Sequence, residues 1–169
     1  NIQVNEETYQ KNMEKGKGEM QKGNYERAIL AFEAARAIKP KDIEPSRYIQ
    51  DCLAKADKGQ QYATLIQGGD WAVDRRDFIL AINNYQKALK LNLGSDNNSV
   101  ARNKIEETRL LMLKKLGDLA QAAMSYAGAG YCTAAQKAIR EAESLLPYLK
   151  QESTQEEIRK IANVKIKCL

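Results

Sequence analysis

The chain has 169 residues, 43% hydrophobic and 29% charged, with no histidine. That length supports a sizeable core, the composition is too apolar for a disordered chain, and no apolar run reaches the ~18 residues that cross a bilayer. The net charge of +5 is spread thinly, which speaks against the concentrated basic stripe of a nucleic-acid surface, and the missing histidine removes the commonest general acid–base and metal ligand.

Alanine, lysine, glutamate, glutamine and leucine dominate, so helix is expected nearly everywhere. In chain order the predicted helices lie near 6–21, 25–39, 46–75, 78–92, 99–128, 131–146 and 154–168. Pro45-Ser46 opens the third helix, which carries Ile49, Leu53 and Ala56. Gly68-Gly69 is the place where that helix would bend or split, and a separate third helix per unit is the competing reading. Asp77 stands where the fourth helix needs an N-cap. Leu93 to Asn98, LGSDNN, is the clearest loop. Ser99 opens the fifth helix, with Ile105 and Leu110 to Leu113 along it. The two long helices are expected to span roughly 28–30 residues each, with Ile49, Leu53 and Ala56 buried against Ile105 and Leu110. Gly128-Ala129-Gly130 lacks the Lys-Ser/Thr of a phosphate loop and reads as a helix-ending turn. Ser153 and Glu156 have capping-box spacing ahead of Ile158, Ile161 and Ala162.

A pattern of small and large residues recurs along the chain. In Lys22–Pro40, Gly23, Tyr25, Ala28, Phe32 and Ala35 are followed by Ile38. From Arg75 the same offsets hold Arg76, Phe78, Ala81, Tyr85, Ala88 and Leu91. The third copy holds Gly130, Cys132, Ala135, Ile139, Ala142 and Leu145. Upstream of each, at a common offset, stands a small residue: Gly16, Gly69 and Ala123. Alanine on a buried stripe signals that a partner helix packs very close.

This pattern resembles the tetratricopeptide repeat, a helix–turn–helix unit of ~34 residues. The units fall at about 9–42, 62–95 and 116–149, with starts 53 and 54 residues apart. The extra length is read as helical segments at 45–61 and 98–115, and a terminal helix at 153–168 follows. Leu93 replaces the usual helix-ending proline and Cys132 the usual aromatic. The resemblance implies an all-α tetratricopeptide-like helical repeat, an α-solenoid of about seven antiparallel helices, two of them long, forming a single domain.

The same resemblance marks the inner face of each first helix as a partner-binding surface. Its candidate residues here are Met13, Lys17, Ile66, Gln67, Asp70, Asp74, Ala120, Gln121 and Met124. The Lys/Asn/Arg clamp by which some members hold carboxylate tails is missing, because Met13, Gln67 and Gln121 stand in its place. What remains is an apolar floor with an acidic edge, suited to a peptide or helix with apolar anchors and a basic residue. Equally, a neighbouring helix of the same chain, or of a longer parent, would fill such a groove. Asp70, Asp74 and Asp77 are close in sequence, but no nucleophile or further ligand accompanies them, and Asp77 has its capping role. Trp71, the lone tryptophan, is read as a core residue in preference to a ligand anchor, because large aromatics mostly bury.

Cys52, Cys132 and Cys168 are odd in number and in no metal-ligand spacing, so they are read as free, buried thiols, without a zinc site. Free thiols lean toward a reducing compartment such as the cytoplasm, with a periplasmic location left open. The chain begins Asn1-Ile2 and is expected to be a mature form or a domain of a longer parent. The expected function is a non-catalytic protein–protein interaction module, a scaffold or adaptor without cofactor or metal. The alternatives are a structural spacer or self-assembly domain and, behind it, a nucleic-acid-binding helical repeat.

Overall fold

Helix propensity carries almost the whole chain, and what needs explaining is where each helix stops. The computed structural model describes residues 2–168, and the side chains of residues 5–168. Among the described residues there are seven α-helices and no strand: α1 (Ile2–Gln21), α2 (Tyr25–Ile38), α3 (Glu44–Asp74), α4 (Phe78–Lys90), α5 (Ser95–Gly128), α6 (Cys132–Leu145) and α7 (Gln155–Lys167). Short 3-10 turns at Leu146–Tyr148 and Gln151–Ser153 lead from α6 to α7. The chain forms two compact units, 1–62 and 63–169, whose boundary falls within α3.

Three helix ends share one hydrogen-bonded turn. Gly23, Arg76 and Gly130 each adopt a left-handed backbone, with φ of 78°, 60° and 82°. After each, an amide reaches five residues back: Asn24 to the Glu19 carbonyl, Asp77 to Ala72, and Tyr131 to Tyr126, at 2.8–2.9 Å. The amides of Gly23, Arg76 and Gly130 themselves donate to the carbonyls of Met20, Val73 and Ala127. These are the paired bonds of a Schellman ending, which satisfy carbonyls that the helix leaves without partners. The turn expected at Gly128 to Gly130 is therefore present. Asp77 caps α4 as expected, its Oδ1 accepting from the Leu80 amide at 3.1 Å.

Behind the first two turns, a glycine on one helix faces an aromatic ring on the next. A Cβ added to Gly16 would sit 2.5 Å from the Phe32 ring, and one on Gly69 only 2.2 Å from the Tyr85 ring. Real Cβ atoms do not approach so closely, so glycine is what allows the two rings to seat. Ala28, Ala35, Ala81, Ala88, Ala135 and Ala142 are fully buried, in line with alanine marking a close helix partner.

In unit 1, α1 packs on α2, and Tyr9, Met13, Phe32 and Cys52 form its core. Tyr48 stacks on Phe32 with ring centroids 4.8 Å apart. In unit 2, α5 packs on α4, α6 and α7. Leu116, Ala120, Ile139, Ile161 and Val164 belong to its larger core, while Ala72, Ala81, Tyr85 and Ile105 form a smaller one.

The helix α3 runs unbroken through Gly68-Gly69, as the reading of one long helix expects, and the competing separate third helix does not form there. Other expectations are corrected. Leu53 and Leu110 are 56% and 69% exposed rather than buried; Ile49 packs instead with the Tyr9–Phe32 cluster and Ile105 with Tyr85. The stretch Leu93–Asn98 is mostly helix, since α5 begins at Ser95 after Gly94 (φ 94°). Serine, aspartate and asparagine favour helix starts as well as loops, and here the start prevails. The capping box at Ser153 and Glu156 does not form. Thr154 occupies the N-cap, with its hydroxyl donating to the Gln151 carbonyl, and Glu156 pairs with Lys160 at 3.0 Å. Trp71 is 55% exposed, with the Arg75 guanidinium 4.6 Å above its ring. Its neighbour Ala72, about 100° further round the helix, is the residue that faces the core.

The cysteine reading is also corrected. Cys132 and Cys168 form a disulfide, with Cα atoms 5.3 Å apart across 36 residues of sequence. Cys52 alone remains a free, buried thiol. The bond removes the basis for favouring a reducing compartment and argues against one. No helix among the described residues is long and apolar enough to cross a membrane.

Candidate functional site

In unit 2, Asp70, Val73 and Asp74 recur at i, i+3 and i+4 along α3 and so share a face. On α5, Lys104, Glu107, Thr108 and Leu111 recur at i, i+3, i+4 and i+7. These two faces, with Tyr85 of α4, enclose a recess of about 210 Å³. Three carboxylates stand against one ammonium around it, so its charge is net acidic.

The chemistry is ordered by a buried phenol. Tyr85 is almost fully buried and donates its hydroxyl to Asp70 Oδ1 at 2.6 Å. Lys104 Nζ reaches the same oxygen at 2.7 Å and lies 5.7 Å from the Tyr85 ring centroid. Burial works to raise the Asp70 pKa, but the bonds from Lys104 and Tyr85 outweigh it and hold the carboxyl below its ordinary 3.8. Burial, then the bond to Asp70, push the Tyr85 phenol well above its usual range. Asp70 is thus ionised and occupied, whereas Asp74 and Glu107 are exposed at the rim.

Unit 1 holds a related group. Tyr9 donates to Asp42 Oδ2 at 2.5 Å, and Lys39 lies 4.2 Å from the Tyr9 ring centroid while pairing with Glu6 at 2.6 Å. Asp42 also accepts from the Glu44 amide at the start of α3. This group ties α1 to the segment between α2 and α3.

The sequence-derived candidates separate on inspection. Asp70 and Asp74 do come together in the recess. Met13 and Ala120 are buried core residues and offer no surface, a correction that follows from their packing in the two main clusters. Lys17 is occupied within unit 1, 3.5 Å from Glu44 and over the Tyr48 ring. Ile66 is half-buried against the Tyr85 cluster. Gln67, Gln121 and Met124 are exposed, but neither they nor Ile66 line the recess. Sequence reasoning missed Tyr85, Lys104, Glu107 and Leu111 as site residues. The helical spacing on α5 was legible, but its pairing with α3 was not.

Among the described residues no group of three Asp, Glu, Cys or His side chains is placed to hold a metal ion. Comparison with known families, curated proteins and solved structures finds no match. The family likeness therefore rests on the residues alone.

Proposed function

We propose that this chain is a non-catalytic interaction module of tetratricopeptide-like helix pairs, and that the acidic recess of unit 2 receives a basic side chain from a partner peptide or helix. The observation that carries the reading is the recess itself. Asp74 and Glu107 stand free at its rim, while Tyr85 and Lys104 hold Asp70 in a fixed, ionised state. A Lys or Arg entering there meets charge already in position, and Val73 and exposed Leu111 offer apolar contact to its stem. The Gly/aromatic pairs and the three equivalent turns support the likeness to tetratricopeptide units, whose first-helix faces bind extended or helical segments.

A displayed library of 12-residue peptides, each with one Lys or Arg among Leu and Met, supplies the probe. Selected binders are measured by calorimetry against the native chain and against Asp74→Lys with Glu107→Lys. Both residues are exposed, so the fold should survive, which circular dichroism checks. About a tenfold loss of affinity is expected, together with weakening by salt in the native chain. A library that yields no binder, or binders indifferent to both reversals, overturns the reading.

A further inference from the structure

In unit 2, α7 is anchored by few side chains of its own. Of its 13 residues Ile161 and Val164 are buried, joining the core around Leu116, Ala120 and Ile139. Its polar attachments to α6 are an exposed Lys165–Glu143 ion pair and a 3.5 Å bond from the Gln136 side-chain amide to the Cys168 carbonyl, and such exposed contacts hold weakly. A helix of this length is marginal without tertiary support. The Cys132–Cys168 bond supplies that support covalently, because Cys168 closes the end of α7 and Cys132 opens α6.

We propose that the Cys132–Cys168 disulfide is a redox latch: a dithiol reductant opens it, and α7 then detaches from α5 and α6 by local unfolding while the remainder of unit 2 stays folded. Both cysteines are half-buried and so within reach of a reductant. One thiolate of the dithiol attacks Cys168 Sγ, the S–S bond breaks, and its electron pair leaves on Cys132 Sγ. That sulfur is the favoured leaving group because it lies at a helix N-terminus, where amide dipoles stabilise a thiolate. The second thiol of the reductant attacks the mixed disulfide and releases Cys168. Two electrons and two protons pass to the cysteines, and the reductant ends as a disulfide. The opened form uncovers the apolar strip of α5 and α6, together with Ile161 and Val164.

Hydrogen exchange by mass spectrometry on the whole chain, oxidised and then treated with dithiothreitol, tests the latch. Amides of Gln155–Lys167 should exchange about tenfold faster or more after reduction, those of α4 should keep their rate, and reoxidation should restore protection. Cys132→Ser with Cys168→Ser should exchange rapidly in α7 from the outset and ignore the reductant, whereas Cys52→Ser should respond like the native chain. Equal α7 protection in both redox states overturns the proposal. So does acceleration spread evenly over unit 2, or three titratable thiols in the denatured, oxidised protein.

Discussion

At the scale of single residues, the decisive pairs are a missing side chain and the ring that uses its space. Gly69 admits Tyr85 and Gly16 admits Phe32, while in the third copy Ala123 and Ile139 are both buried. The exchange of glycine plus ring for alanine plus a smaller aliphatic conserves volume, as close packing demands. Gly69→Ala should therefore destabilise the chain by about 2 kcal/mol, although alanine is the better helix former by about 1 kcal/mol. Combining it with Tyr85→Ile should recover part of that loss, a coupling that urea unfolding of the four proteins in a double-mutant cycle would measure. A neutral Gly69→Ala would mean that the ring has room to move.

At the scale of elements, the three matching turns differ in one residue. Gly23 and Gly130 take the left-handed position without penalty, but Arg76 holds φ 60° with a full side chain. An L-residue there costs about 1–2 kcal/mol, from which glycine's larger loss of chain entropy on folding must be subtracted. Arg76→Gly should therefore raise stability by about 0.5–1 kcal/mol, read as a higher thermal midpoint. A lower midpoint would show that the arginine side chain makes contacts worth more than the strain. The long helices obey the same local logic. Gly68-Gly69 does not break α3 because a glycine in mid-helix costs about 1 kcal/mol and needs a Schellman or proline context to end it. That context first arises at Arg76.

At the scale of the whole molecule, pH sensitivity follows from the two Tyr–Asp pairs. Asp42 is held below its ordinary 3.8 by the Tyr9 hydroxyl and then the Glu44 amide, and Asp70 by Lys104 and Tyr85 against the raising effect of burial. A depressed carboxyl contributes stability that is present above its unfolded pKa and lost as pH falls through the folded one. Tyr9 and Tyr85 are raised above their ordinary 10.0 by burial and then by these aspartates. Their contribution is present below pH 10.0 and is lost as pH rises from there toward their folded values. With no histidine in the chain, stability should be flat from about pH 5 to 9 and fall on both sides. Urea midpoints across that range check the profile. Tyr9→Phe with Tyr85→Phe should flatten the alkaline limb, and an unchanged limb would place its origin elsewhere.

Features that depend on neighbours a few residues apart were legible along the chain. The sequence was enough to read the all-helical class, the approximate helix ends, the Asp77 cap, the turn before Tyr131 and the small–large pattern that buries Ala28 and Ala81. These features arise from propensity, capping and helical spacing, which act within one or two turns. The candidate site was half legible: Asp70 and Asp74 share one face by spacing alone. Packing between helices set the rest: Lys104 and Tyr85 meet Asp70, Glu107 joins the rim, Met13 and Ala120 are core, and Trp71 faces outward. It likewise brought Cys168 to Cys132. Such contacts join residues 15 to 36 positions apart, as in Tyr85–Asp70, Lys104–Asp70 and the disulfide. Nothing in local spacing encodes which face of one helix meets which face of another; the packing of side chains between them does.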